Sequence, residues 1–174
     1  MDWYTGVLEV IDTRSFTSIW YWIIVAVVWS STSHYTLGVP FDMVTRARRN
    51  QGGPAQKDLE TLVELNCNRM IYIVDVSGIW IIAFACFLLT FLGLAGFFYN
   101  LQIAQAIFLI VAPLSVVAAI TLYNARLIRA RETYGIALRT HLSRLRLVNQ
   151  VIGMMSIFVT AFWGMWNIMN ATAL

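Results

Sequence analysis

Three long stretches of this chain carry no Asp, Glu, Lys or Arg: Ser15 to Phe41, Val76 to Ala125 and Leu147 to Leu174. One such charge at the centre of a bilayer costs about 2.5–3.5 kcal/mol on insertion scales, so uncharged runs of this length map where a chain can cross hydrocarbon. All twelve Lys and Arg residues lie before or between those runs. Charged residues make up 12% of the chain and hydrophobic residues 59%, against about 25% charged in soluble domains. A water-soluble fold of this composition would expose broad apolar patches. The expectation is a single integral membrane domain over residues 1–174.

A helix crosses the hydrocarbon in about 20 residues. The first run holds one span, expected over residues 17–39, with Trp20, Tyr21 and Trp22 at one interface. The second run is too long for one crossing. Its polar interruption, Tyr99-Asn100-Leu101-Gln102, reads as a tight hairpin between a second span over 72–99 and a third over 101–123, with Pro113 as a kink in the third. A fourth span is expected over 147–168. Pro54 follows Gly52-Gly53 and suits the first position of a helix. Leu59, Leu62, Val63, Cys67 and Met70 then continue at helical spacing, so one helix from Pro54 to Tyr99 should begin in water and then enter the membrane. Leu138, Leu142 and Leu145 extend the fourth span in the same way, beyond a turn at Gly135. Trp3, Val7, Val10 and Ile11 fall near one helical face, which suggests an interfacial helix within residues 1–16. With Asp2, Glu9 and Asp12 ahead of the first apolar run, the positive start of a signal peptide is not seen. The fold class is therefore all-α: four transmembrane helices as two antiparallel hairpins, with cytoplasmic helical extensions and an N-terminal interfacial helix.

Basic residues set orientation, because Lys and Arg concentrate in cytoplasmic loops. Five lie between Asp42 and Asp75, six between Arg126 and Arg146, one in the N-terminal segment, and none in the 99–102 hairpin or the C-terminal run. Loops 42–69 and 124–146 are accordingly expected in the cytoplasm, with both termini on the opposite side. Trp20, Trp22, Trp163 and Trp166 all fall at that outer side.

Few residues suggest chemistry. Asp75 is the carboxylate nearest the apolar part of a span, where an acid is a functional candidate by default. His34 lies at a similar depth on span one, and taking spans one and two as antiparallel neighbours, the pair could relay protons or orient a ligand. A bridge to Arg69 or a plain interhelical hydrogen bond accounts for the same residues. The run Trp29-Ser30-Ser31-Thr32-Ser33-His34 is the most polar inside any span, and its hydroxyls can bond back to their own helix. Ser156, Thr160 and Gly164 follow a small-xxx-small spacing that marks a helix-packing face. Arg126, Arg129, Arg131, Arg139, Arg144 and Arg146 are candidate contacts to anionic lipid or an acidic partner. Nucleic acid is not expected, since the basic residues sit beside spans and form no binding motif. No catalytic, metal-ligating or cofactor-binding set is recognisable. Membrane haem needs two facing histidines, and the chain has only His34 and His141. Cys67 and Cys86 fall at different depths, which argues against a disulfide.

The segments MDWYTGVLEVIDTRSF, SSTSHYTLGVPFDMVTRARR and LNCNRMIYIVDVSGIW resemble a family of small four-span proteins of alphaproteobacteria, often labelled as a component of the SufBCD complex. The resemblance implies a bacterial inner membrane. It carries over no site residues, and two thiols do not make the usual four-thiolate cluster site. The function expected is a non-enzymatic accessory or scaffold subunit. It would pack with other membrane subunits or with itself and present an Arg-rich cytoplasmic face. The alternative is a homo-oligomeric channel or small-solute carrier, with His34 and Asp75 near its inner mouth.

Overall fold

The computed structural model describes residue 16 and residues 18–49, 53–131 and 133–172. The expected interfacial helix, with Trp3, Val7, Val10 and Ile11, lies outside the described residues. Helix α1 covers Ile19–His34. A two-residue turn then joins strand β1 (Tyr35–Thr36) to strand β2 (Val39–Pro40), paired Tyr35 with Pro40 and Thr36 with Val39. The short helix α2 (Phe41–Arg49) follows, then α3 (Pro54–Gly93), a π-helical segment (Leu94–Phe98), α4 (Gln102–Ala130) and α5 (Gly135–Thr172). Three of these, Pro54–Phe98, Gln102–Ala130 and Gly135–Met169, are long and apolar enough to cross a membrane. This is a helical membrane protein. The face of α3 bearing Ile79, Trp80, Phe84 and Phe87 is openly exposed, Ile79 by 84%, a surface that only hydrocarbon or another apolar face would tolerate.

Pro54 begins α3 behind Gly53 as N-cap, as the missing amide of proline requires. The helix runs through Gly93 and its π continuation to Phe98, in agreement with the expected Pro54–Tyr99 element. Span one differs from expectation. Its helix stops at His34 after 16 residues rather than continuing to Val39. The cause is local. Leu37 and Gly38 both take positive φ, 55° and 71°, the pair of left-handed residues that a type I′ hairpin turn demands. Glycine adopts this freely, but leucine pays about 1–2 kcal/mol. Leu37 is only 2% exposed, and burying its side chain returns a comparable or larger amount.

The charged loops are also more ordered than expected. The 42–69 region contains α2, an element beyond the expected helix from Pro54, and in the 124–146 region α4 runs on to Ala130 and α5 begins at Gly135, where the turn was expected. Gly135 opens α5 at φ 66°. The helical extensions close on one another. Leu59, Val63 and Cys67 of α3, Ala125 and Ile128 of α4, Leu138, Leu142 and Leu145 of α5, and Val44 and Ala47 of α2 form one hydrophobic core with Leu37 and Val39. We call this packed end the cap.

Helices α3 and α4 are antiparallel: Gln105 meets Gly96 near their turn, and Arg126 meets Asp75 at the far end. Helices α4 and α5 are antiparallel too, with contacts from Gln105–Trp163 to Asn124–His141. The expectation that span one lies beside span two is not met. Helix α1 runs antiparallel along α5, with Phe16 at Gly164 and Trp29 at Gly153. It also reaches α4, where the Tyr21 hydroxyl donates to the Ala106 carbonyl at 3.3 Å.

Candidate functional site

Asp75 and His34 go to separate surroundings. The Asp75 carboxylate pairs with Arg126 of α4 at 3.3 Å, with both side chains more than half exposed. His34 is exposed at the end of α1 and lies edge-on to Tyr35. The two form no hydrogen bond or ion pair, and Arg69 is not the partner of Asp75. Of the polar run, Thr32 bonds back to the Val28 carbonyl at 2.8 Å, while Trp29 is buried against Gly153. The small-residue face turns inward. Ser156 donates to the Leu109 carbonyl at 3.4 Å, Thr160 is 1% exposed, and Gly164 lies against Phe16. These three residues pack α5 within this chain.

The polar centre that sequence reasoning missed is Gln105, buried to 3% exposure. Its Nε2 donates to the Gly96 carbonyl at 2.8 Å, and its Oε1 accepts from Trp163 Nε1 at 3.0 Å. The π segment shifts the helical ladder, and Gln105 supplies a partner for its displaced carbonyl. Gly96 is needed there, since a Cβ would sit 2.9 Å from the Gln105 amide nitrogen. The available signal was an amide one turn into an otherwise largely apolar span, just after the Tyr99–Gln102 break.

The arginines divide into two groups. Arg126, Arg129, Arg131 and Arg144 are exposed on the cap, with Arg46, Arg48 and Arg49 of α2 beside them. Among the described residues Arg126–Asp75 is the one ion pair. Arg139 and Arg146, expected as outward contacts, turn inward instead. Arg139 is 8% exposed and donates to the Ala47 carbonyl at 2.6 Å. This cation at the C-terminal end of α2 satisfies a carbonyl that the helix itself leaves free. Arg146 lies 3.8 Å over the Phe41 ring, with its Nε buried and unpaired.

Between α2 and α5, Arg139 borders a cleft of about 430 Å3. Phe41, Arg48, Arg139, Thr45, Thr140 and Ser143 line it, together with the buried Val44 and the exposed Ile136. Among the described residues no carboxylate is in its wall. Each of the three hydroxyls donates to a carbonyl one turn back in its own helix, so their oxygens face outward as acceptors until they rotate. A second, smaller cleft of about 270 Å3 between α3, α4 and α5 is different, because Glu60 and Glu64 stand in its wall with Arg129. Glu60 Oε1 accepts from the Gly135 amide at 2.9 Å, capping the start of α5 from a neighbouring helix.

His141 lies within the fields of Arg131 and Arg144. Asn124 donates through Nδ2 to the Ile120 carbonyl at 2.7 Å, which turns its Oδ1 toward His141 Nε2, also at 2.7 Å. His141 therefore donates from Nε2, with Nδ1 unprotonated when the ring is neutral. Burial, then the charges of Arg131 and Arg144, push its pKa below the ordinary 6.5. Burial likewise raises the Cys67 thiol, which keeps it protonated and inert. No protein-family model, curated protein or solved structure matches the chain.

Proposed function

We propose that this chain is a non-enzymatic accessory or scaffold subunit of a bacterial inner membrane, held by four spans with both termini on the periplasmic side. In this reading α1 is the fourth span. At 16 residues it reaches about 24 Å, so the buried hairpin that follows would complete its path to the inner surface. The observation that carries the reading is the cap. Its interior is filled by its own leucines and valines, which leaves a dense set of exposed arginines with a single carboxylate partner among the described residues. Unpaired arginines beside apolar helices suit anionic lipid headgroups or an acidic face on a neighbouring subunit.

Asp75 already has a partner in Arg126, so the geometry gives no particular support to a pore that uses Asp75 at its inner mouth. The test is purification in mild detergent followed by native mass spectrometry. Retained anionic lipid or a stoichiometric membrane partner is the expected result, reduced when Arg129, Arg131 and Arg144 are replaced by Gln. A clean monomer with neither would overturn the proposal.

A further inference from the structure

We infer that the cleft between α2 and α5 is a binding site for one phosphate group, with Arg48 and Arg139 as its ligands. The inference deepens the anionic-surface reading above and rests on it. Three observations lead to a phosphate. Among the described residues the cleft is lined by two arginines and no carboxylate, so its charge favours an anion. Arginine presents paired N–H groups in a fork that matches two oxygens of one phosphate. Arg139 is more than nine-tenths buried, and only its Nη1 is committed, to the Ala47 carbonyl. Its orientation is thereby fixed before any ligand arrives, while Arg48 is exposed and free to close over one. Thr45, Thr140 and Ser143 can each rotate from their own helix to donate to an anionic oxygen.

Depth bears on which source supplies the phosphate. The uncharged run of α5 begins at Leu147. Along a helix, Ser143 lies about 6 Å and Arg139 about 12 Å outside that point. The headgroup layer of one leaflet is about 5–7 Å thick. The end of the cleft at Phe41 and Ser143 thus falls at headgroup depth, while Arg139 lies beyond it on the cytoplasmic side, so a lipid phosphate has to be drawn outward to reach the arginines. A soluble phosphate monoester would offer the same oxygens from the cytoplasmic side, so the two sources are separated by experiment.

The full chain, purified in a neutral detergent, is titrated with phosphatidylglycerol and, separately, with phosphatidylcholine while native mass spectra are recorded. Glycerol 3-phosphate is titrated in parallel by thermal shift. The expected result is one tightly retained phosphatidylglycerol per chain, with phosphatidylcholine much weaker. Arg48→Gln should weaken it about tenfold, the loss of one charge-assisted contact. Arg139→Lys, which keeps the charge and loses the fork, should weaken it as well. Saturable binding of glycerol 3-phosphate that depends on Arg48 would support the site with an aqueous ligand. The proposal fails if neither probe binds, or if binding ignores Arg48 and Arg139. Lipid binding that responds only to Arg129, Arg131 and Arg144 would refute the cleft and leave the broader surface reading standing.

Discussion

Replacing Gln105 by Leu tests the most consequential contact in the apolar region. The two side chains have similar volume, so packing changes little. The loss is two hydrogen bonds, one to the Gly96 carbonyl and one from Trp163 Nε1. Interhelical hydrogen bonds in membrane proteins average about 0.6 kcal/mol by double-mutant cycles, which gives about 1.2 kcal/mol for two of average strength. Each group left buried without a partner costs about 1–3 kcal/mol when no alternative forms. The Gly96 carbonyl sits in a π segment, where the local ladder cannot readily take it back. A destabilisation of about 2–3 kcal/mol is expected. The assay is unfolding in mixed micelles by rising dodecyl sulfate fraction, followed by far-ultraviolet circular dichroism, since Trp163 is itself a fluorophore. A cycle with Trp163→Phe isolates one bond, and the double variant should cost less than the sum by about 0.5–1 kcal/mol. A Gln105→Leu cost below about 0.5 kcal/mol, or a strictly additive cycle, would refute the view that Gln105 ties the π segment, α4 and α5 together.

Gly153→Ala should destabilise the protein by about 1–3 kcal/mol, because the new Cβ would sit 2.8 Å from Trp29 Cε3, with an aromatic ring rather than a flexible chain in the way. The same unfolding assay measures it, and a neutral result would mean that α1 does not rest on α5 there. The lowered pKa of His141 makes the unfolded chain bind a proton before the folded one does. Stability from this residue is therefore complete above pH 6.5 and is lost as pH falls toward the lower folded value. Unfolding measured from pH 7.5 down to pH 5.5 should show the decline, and His141→Gln should flatten it. In a Cys86→Ala variant, Cys67 is the remaining thiol. Buried to 2% exposure and shifted upward by burial, it should resist maleimide until the cap unfolds. Rapid labelling of the folded protein would show that the cap core is open.

Much of the architecture was legible because a membrane enforces it one residue at a time. Pro54, the stripe from Leu59 to Met70 and the polar break at Tyr99–Gln102 located α3 and its turn to α4. The leucines at 138, 142 and 145 marked the inward face of α5 without naming what covers it. The candidate sites were less legible. The Asp75 and His34 pairing assumed that spans adjacent in sequence are adjacent in space, and α1 packs along α5 instead. Arg139 and Arg146 look like their exposed neighbours in composition. Only α2, a helix the sequence reading did not include, turns them inward through the Ala47 carbonyl and the Phe41 ring.

The sequence by itself determined where the chain can enter hydrocarbon. The reason is that desolvating a charge is costly at any position along a span, whatever the neighbours are. Only the tertiary structure decided which helices touch, which arginines are buried and where a cleft remains between them. Those outcomes depend on packing between segments distant in sequence, such as α2 against α5, and no local pattern encodes the partner.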